Sequence, residues 1–331
     1  MSTGEYGLEQ GFQPPWWLRN AHVQSILPSI PLRRALVRRR CAQVLERSKP
    51  LVLDCGEGVR LLAQHTPATR PNPGGAVVML HGWEGDADAM YMLALARRLL
   101  DQGFEVLRLN LRDHGGTQEL NQGLFHSCLL PEITGAVRRA QQLFNGLPLH
   151  LVGFSLGGNF LLRVAADAPR TGLAIASVVA LSPVLEPRAT LTAIESGPGV
   201  YRRYFVRKWG ASLRAKQQAW PQFYQFGDLR RFVSLRDMTA ELVARHTDFS
   251  TLEEYLDGYS ITGSRLAGLA VPATIITSVD DPIVPVADLN RVAASPCLRV
   301  RVTPFGGHCG FLNGFGGDTW AEDAVVEQLL S

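Results

Sequence analysis

The sequence predicts an α/β protein with a mostly parallel sheet of about eight strands flanked by helices. Short, wholly apolar segments alternate with amphipathic helical segments along most of the chain, a pattern typical of parallel sheets covered on both faces. Two strand-like segments near the start are separated by glycines, which indicates a β-hairpin added to that sheet. A strand, a sharp turn around Ser155 and a helix then follow one another directly, which would expose this serine at an edge of the sheet.

The whole chain, residues 1–331, is expected to be one domain that begins with an arm of about 40 residues. Residues 14–28 contain two adjacent tryptophans and several prolines, which favours a segment packed across the domain over a regular element. His22 within it is interpreted as a hydrogen-bonded packing residue. Arginines follow at positions 33, 34, 38, 39 and 40. We interpret them as a solvated helix face, with peripheral contact to an anionic membrane or to an acidic partner left open.

Three strand-like segments come next, at residues 42–47, 51–54 and 59–65. Gly56 and Gly58 separate the last two of these segments, as a hairpin requires. A hairpin ahead of parallel strands would make the sheet a mixed one.

From residue 70 onward the pattern changes to apolar strands separated by helices. Besides the strand that leads into Ser155, strands are predicted at residues 76–80, 105–109, 177–181, 273–277 and 298–302. Helices are predicted at about residues 88–100, 131–144, 159–165 and 325–330. This alternation indicates parallel strands whose carboxyl ends share one edge of the sheet.

Residues 185–267 interrupt the alternation. The segment is rich in arginine and aromatic residues, and it contains helical stretches but no convincing buried strand. It leaves the predicted sheet after one strand and returns before the next. We therefore interpret it as a helical cap over the carboxyl ends of the strands, where ligands bind in open α/β sheets. A peripheral excursion away from the site is the alternative.

The composition is that of a globular protein and excludes several function classes. Hydrophobic residues make up 46% and charged residues 19% of the chain, and a net charge of +3 is too small to indicate nucleic-acid binding. The five cysteines are scattered without a C-x-x-C pair, which argues against a disulfide framework or a zinc site. Neither a signal-peptide pattern nor an apolar run of about 18 residues occurs. We expect a cytoplasmic protein without stable membrane insertion.

Ser155 lies in a Gly-x-Ser-x-Gly pattern between a predicted strand and a predicted helix, the arrangement of a nucleophile elbow. Gly153 and Gly157 lack Cβ atoms, so the strand and the helix can approach closely beside the strained serine. A serine nucleophile needs an adjacent base, most often an imidazole, and the imidazole needs a carboxylate that fixes its tautomer. His308, in a glycine-rich loop after the last strand, has the position expected of the base.

Two adjacent aspartates, Asp280 and Asp281, compete for the acid role in the loop after residues 273–277. We assign the role to Asp281, because the proline that follows it resembles the usual pattern at the end of this strand. Asp280 would then be a loop carboxylate that helps to hold the turn.

The oxyanion that develops during acyl transfer needs backbone donors. We expect them to be the N–H of Leu156, at the start of the helix after the nucleophile, and the N–H of Trp83, in the loop after residues 76–80. The other histidines are interpreted as structural or surface residues: His65, His114, His126, His150 and His246.

These motifs together resemble the α/β-hydrolase superfamily. The resemblance rests on the Ser155 elbow and on residues 81–83, 110–116, 280–282 and 306–311. Residues 20–25 look like the start of its YheT-like branch, and the resemblance extends from about residue 14 to the C-terminus. It implies a carboxylic-ester hydrolase with Ser155 as nucleophile, Asp281 as acid and His308 as base.

We therefore predict a serine hydrolase that cleaves carboxylic esters of short-to-medium or lipid-like acyl chains through an acyl-enzyme. The mechanism would use no metal and no cofactor, and the partner would be a small-molecule ester rather than a nucleic acid. The oligomeric state is left open. Two alternatives remain: thioester, amide or perhydrolysis chemistry with the same triad, and a binding protein that keeps the fold without turnover.

Overall fold

The computed structural model describes residues 7–9 and 11–331, and there the chain forms one mixed sheet of eight strands. The strands are β1 (Lys49–Asp54), β2 (Arg60–Thr66), β3 (Ala76–Leu80), β4 (Glu105–Leu109), β5 (Leu149–Phe154), β6 (Ser177–Leu181), β7 (Ala273–Ser278) and β8 (Leu298–Thr303). Their order across the sheet is β1-β2-β4-β3-β5-β6-β7-β8. The β1–β2 and β2–β4 pairs are antiparallel and all others are parallel. The predicted hairpin and parallel sheet are both confirmed.

Helices flank this sheet. In the described residues they are α1 (Ala21–Ile26), α2 (Pro31–Arg40), α3 (Ala42–Arg47), α4 (Met90–Asp101), α5 (Leu130–Leu143), α6 (Leu156–Ala166), α7 (Ala168–Thr171), α8 (Pro187–Ser196), α9 (Gly199–Ala219), α10 (Leu235–His246), α11 (Leu252–Gly258) and α12 (Trp320–Leu330). None of the helices in these ranges is long and apolar enough to cross a membrane.

The two faces of the sheet form two apolar layers. On one face, Val77 and Met79 of β3 pack with residues of α2, α3, α4 and α12. On the other, Val78 and Leu80 of the same strand pack with residues of α5 and α6. Because successive side chains of a strand alternate between faces, a strand buried on both sides must be apolar throughout. This explains the unbroken apolar strands of the sequence.

The predicted strand at residues 42–47 is wrong, because this segment is helix α3. Its buried residues continue a stripe that begins in α2: Val37, Cys41 and Val44 are all buried. Their spacings of four and three residues match one face of a helix rather than the two-residue alternation of a strand.

The expectation of an irregular segment at residues 14–28 is also wrong. A 3₁₀ helix at Trp16–Leu18, helix α1 and a second 3₁₀ helix at Leu27–Ser29 follow one another. The Asn20 side chain accepts hydrogen bonds from the backbone N–H groups of His22 and Val23, at 2.9 and 3.1 Å. This N-cap stabilises the start of α1. The expected arm also includes residues 1–6 and 10, which lie outside the described residues.

Helices α8 to α11 lie between β6 and β7 and are called here the β6–β7 segment (residues 187–258). A small apolar cluster lies within it, formed by Leu213, Tyr224, Phe226, Leu229, Met238 and Leu242. The segment is therefore partly held together by its own packing.

A buried lysine joins the β6–β7 segment to the rest of the molecule. Lys216 of α9 is fully buried, and its Nζ donates to Asp113 Oδ1 at 2.7 Å in the loop after β4. It also donates to the carbonyl oxygens of Asn121 and Gly123, at 2.6 and 2.8 Å. Each proton of the ammonium thus has an acceptor, which a buried charge requires.

We expect Lys216→Met to lower the free energy of unfolding by about 3–5 kcal/mol, because Asp113 would remain buried without its partner. Lys208→Met is the matched control, since Lys208 lies on the same helix and is exposed. Its effect should stay within about 0.5 kcal/mol. Urea denaturation of both variants measures the difference. Equal losses in the two variants would contradict the role given to this pair.

Candidate active site

Ser155 stands between the end of β5 and the start of α6 in a strained backbone conformation. Its φ is 51° and its ψ is −117°, values that an L-residue adopts only when its surroundings enforce them. Its N–H donates to Leu181 O of the neighbouring strand β6 at 2.8 Å. The turn is therefore fixed to the sheet, and the side chain projects from its carboxyl edge.

The two glycines of the motif are required by close backbone contacts. A Cβ atom at Gly153 would lie 2.5 Å from Gly158 N, and one at Gly157 would lie 2.3 Å from Leu80 O. Real Cβ atoms do not approach backbone atoms so closely. Helix α6 can therefore begin directly against β5 and the end of β3 only because both positions lack a side chain.

The three residues predicted as a triad form one hydrogen-bonded chain. Ser155 Oγ lies 2.9 Å from His308 Nε2, and His308 Nδ1 lies 2.9 Å from Asp281 Oδ2. Asp281 Oδ1 accepts hydrogen bonds from the N–H groups of Ile283 and Val284, at 2.8 and 3.0 Å. The carboxylate is thus held in a fixed orientation. With Nδ1 donating to Asp281, Nε2 is left free to accept a proton from the serine hydroxyl.

Asp280 lies in the same loop but does not face the imidazole. Its Oδ1 accepts a hydrogen bond at 2.9 Å from the backbone N–H of Gly307, the residue that precedes His308. Burial raises the pKa of the Asp280 carboxyl. The structure therefore places Asp281 against His308 and gives Asp280 a contact with the backbone of the loop that carries the histidine.

Leu156 and Trp83, the expected oxyanion donors, both border the cavity that contains Ser155. Leu156 is the first residue of α6, so its N–H has no partner within the helix. Trp83 follows Gly82, where a Cβ atom would lie 3.2 Å from Ser155 Cβ. The backbone of this loop therefore lies directly beside the serine.

His81 fixes the loop that carries Trp83. Its Nε2 lies 3.1 Å from Leu111 N, and its Nδ1 lies 2.7 Å from Gly82 O. Since an amide N–H can only donate, Nε2 must be the acceptor and Nδ1 must carry the proton. Burial lowers the pKa of His81 to about 3, so the ring is neutral near pH 7 and acts as a structural bridge.

A cavity of about 450 Å³ opens next to Ser155, His308 and the loop after β3. Part of its apolar lining comes from the β6–β7 segment, including Leu191, Ile194, Phe205, Trp209, Leu242 and Val243. The indole of Trp83 stacks on Phe205, with ring centroids 5.2 Å apart, and meets Trp209 edge-on. These contacts attach the β6–β7 segment to the loop beside the serine. The sequence shows that the segment is rich in aromatic residues, but it does not identify which residues line a cavity.

Both signs of charge border the same cavity. Its cationic lining residues are Arg34, Arg38 and Lys208, and its acidic ones are Glu84, Asp86 and Asp88. All three acidic side chains have partners: Asp88 pairs with Arg108, Glu84 accepts from Ser212 Oγ, and Asp86 Oδ1 accepts from Asp88 N at 2.9 Å. The charged lining is therefore mixed rather than uniformly basic.

Cys309 follows the histidine and also borders the cavity. Its Sγ lies 3.7 Å from Leu181 O, and its N–H donates to Ser182 Oγ at 3.4 Å. Burial raises the pKa of the Cys309 thiol, so the thiol stays protonated at neutral pH and behaves as a packing group.

Residues of α1 also contact the loop that carries His308, a relation that sequence reasoning missed. Ser25 Oγ accepts from His308 N at 2.9 Å, and Gln24 Oε1 accepts from Leu312 N at 2.7 Å. Asn20 could have indicated the start of this helix, as an N-cap residue. Nothing local in the sequence indicates that the helix lies beside a loop almost three hundred residues away.

Comparison with known proteins agrees with this architecture. A family model described as alpha/beta hydrolase fold matches residues 75–315. The protein named "Putative esterase YheT" from Escherichia coli (strain K12) is 24% identical over 337 residues, covering 99% of this chain and 96% of that protein. This match runs over nearly the whole of both chains, and it confirms the resemblance to the YheT-like branch inferred from residues 20–25.

Two further proteins are similar over most of the chain. Phospholipase ABHD3 of Mus musculus is 21% identical over 257 residues, covering 75% of this chain and 60% of that protein. The solved structure of esterase Pf2001 from Pyrococcus furiosus aligns with a TM-score of 0.55 at 16% identity, covering 87% of this chain and 94% of that one. At this identity the structural likeness shows the fold alone.

The two adjacent aspartates allow a matched test of the geometry. We expect Asp281→Asn to reduce kcat for ester hydrolysis by about three to four orders of magnitude, because the amide no longer fixes the imidazole tautomer. Asp280→Asn keeps an oxygen that can accept from Gly307 N, so its kcat should change by less than about tenfold. Steady-state kinetics on both variants decide the assignment. A larger loss in Asp280→Asn than in Asp281→Asn would reverse it.

Proposed function

Since the chain belongs to the alpha/beta hydrolase fold family, we propose that it is a serine hydrolase of carboxylic esters that works through an acyl-enzyme on Ser155. The observation behind this proposal is the hydrogen-bonded chain from Ser155 through His308 to Asp281, which opens on a largely apolar cavity. A hydrolase with this arrangement needs neither a metal nor a cofactor for the steps below.

Acylation begins when Ser155 Oγ attacks the carbonyl carbon of the ester. His308 Nε2 accepts the hydroxyl proton as the new C–O bond forms. The carbonyl oxygen becomes an oxyanion, for which we propose the N–H groups of Leu156 and Trp83 as donors. His308 then gives its proton to the leaving alcohol oxygen as the C–O bond to the alcohol breaks, leaving an acyl group on Ser155.

Deacylation repeats the same sequence with water in place of the serine hydroxyl. His308 accepts a proton from water while the water oxygen attacks the acyl carbon. Collapse of the second tetrahedral intermediate breaks the bond to Ser155 Oγ, which recovers its proton from His308. One ester and one water thus give one carboxylic acid and one alcohol, and the protein returns to its starting state.

Asp281 contributes to both steps without being protonated. Its Oδ2 keeps the Nδ1–H tautomer in place, and its negative charge stabilises the imidazolium that forms in each half-reaction. The two backbone N–H groups on Oδ1 stabilise the charged carboxylate.

The lining of the cavity supports the proposed substrate class. Apolar side chains of the β6–β7 segment line part of the cavity that also contains Ser155, so an acyl chain would bury its methylene groups there. We propose that this segment is the cap predicted at about residues 185–267 and that the acyl chains are short-to-medium or lipid-like. The similarity to a protein named phospholipase supports an ester that carries an acyl chain.

An active-site probe tests the proposed nucleophile. A fluorophosphonate should label the wild type and should not label Ser155→Ala, whose ester hydrolysis should decrease by at least about 10⁴-fold. Ser127→Ala is the control, because Ser127 borders the same cavity and its variant should still be labelled. Absence of both labelling and ester turnover in the wild type would favour a binding protein that keeps the fold.

A second variant tests where the acyl chain lies. Leu191→Trp introduces a larger side chain into the lining, so the preferred p-nitrophenyl ester should become shorter while acetate ester turnover changes by less than about threefold. Val200→Trp is the control, since Val200 is half-exposed on the same segment and its variant should keep the wild-type optimum. An unchanged optimum in Leu191→Trp would place the acyl chain elsewhere.

A further inference from the structure

The loop that carries His308 has a strained backbone. Gly307 has a φ of 55°, and the non-glycine residues Cys309 and Phe311 have φ values of 60° and 45°. L-residues adopt such values only where surrounding contacts enforce them. The direction of the His308 side chain therefore depends on whatever holds residues 306–312 in this conformation.

The hydrogen bonds of this loop identify what holds it. Each backbone N–H from residue 307 to residue 312 has an acceptor, and only two of the six are satisfied within the loop itself. In chain order the acceptors are Asp280 Oδ1, Ser25 Oγ, Ser182 Oγ, Gly306 O for two N–H groups, and Gln24 Oε1. Two of the four external acceptors come from α1.

Gln24 and Ser25 are built into this contact. Gln24 is fully buried, and while its Oε1 accepts from Leu312 N, its Nε2 donates to Leu312 O at 3.2 Å and to Leu18 O at 2.9 Å. Ser25 Oγ donates to Ala21 O at 2.7 Å, which leaves its lone pairs for His308 N. Each side chain thus donates a hydrogen bond to a carbonyl of the N-terminal segment and accepts one from a backbone N–H of the histidine loop.

The loop backbone lies directly on α1 with no side chain between them. A Cβ atom at Gly307 would lie 2.5 Å from Ala21 O, and one at Gly310 would lie 2.2 Å from Gln24 O. The glycines on either side of His308 are therefore required by the presence of this helix. The same helix contacts the β6–β7 segment, because His22 Nδ1 lies 2.8 Å from the hydroxyl of Tyr201.

We propose that α1 is a positioning element of the active site, in which Ser25 and Gln24 keep His308 within proton-transfer distance of Ser155. Ser25 acts through the histidine rather than on the substrate. When Ser25 lacks its Oγ, the backbone N–H of His308 loses its acceptor and the strained loop relaxes. His308 Nε2 then moves away from the hydroxyl of Ser155. Because His308 serves as base in both half-reactions, acylation and deacylation would slow together. This inference rests on the proposed function.

The test compares Ser25→Ala with Ser196→Ala. In both serines of the wild type the hydroxyl donates to the carbonyl four residues earlier, at 2.7 Å. Ser196, however, is exposed on α8, and in the described structure its hydroxyl bonds to Thr192 O rather than to the histidine loop. We expect Ser25→Ala to lower kcat by about tenfold to hundredfold, as a small displacement of a catalytic group does. Its KM should change by less than about twofold for every acyl chain length. Ser196→Ala should match the wild type.

Hydrogen exchange supplies a readout that does not depend on turnover. Amides of residues 306–312 should exchange faster in Ser25→Ala and at the wild-type rate in Ser196→Ala, while amides of the β-strands keep wild-type rates in both. Faster exchange throughout Ser25→Ala would mean general destabilisation and would overturn the positioning role.

Two kinetic results would also overturn the inference. One is a kcat in Ser25→Ala equal to that of the wild type. The other is a KM that changes with acyl chain length at constant kcat, since Ser25 would then only line the cavity. Wild type and Ser155→Ala are labelled with the fluorophosphonate in parallel. Labelling that requires Ser155 shows that the proposed function holds, so a negative result would concern Ser25 alone.

Discussion

Close contact between backbone segments at Ser155 is the constraint on which the rest of the site depends. The serine can adopt a positive φ only because β5 and α6 meet without side chains at Gly153 and Gly157. That contact brings the start of α6 against the end of β3, and the loop after β3 then runs beside the serine. Ser155, the N-terminus of α6 and the loop with Trp83 are therefore one geometric unit, and a shift of any one would displace the others.

The second half of the site is assembled by side chains that bridge distant segments. His308 stands on a loop that is strained in its own right, and the loop is held by Asp280, Ser182 and residues of α1. His81 performs a comparable task for the loop after β3. In each case a polar side chain replaces the hydrogen bonds that a regular element would provide to the backbone. The loops can then depart from regular structure at the positions where side chains must converge.

Local patterns of the sequence were sufficient for the sheet and for the elbow. Apolar strands, their helices and the Gly-x-Ser-x-Gly turn are each encoded within about ten residues, so period and motif predict them. The strand predicted at residues 42–47 is wrong because a six-residue segment is too short for its period to be decisive. The contact of Ser25 with His308 could not be predicted at all, because it depends on how the two ends of the chain meet. The same holds for the side chains that line the cavity.

Helix α9 shows how the β6–β7 segment is attached to this framework. Tyr201, near its start, contacts His22 of α1, and Phe205 and Trp209 pack on the indole of Trp83. Lys216, fifteen residues beyond Tyr201, is anchored to the loop after β4. At a rise of about 1.5 Å per residue these attachments span roughly 22 Å along one helix. The helix therefore connects the histidine side of the site, the loop beside the serine and the loop after β4. Because a helix is stiff over this length, the shape of the cavity and the position of α1 are mechanically linked.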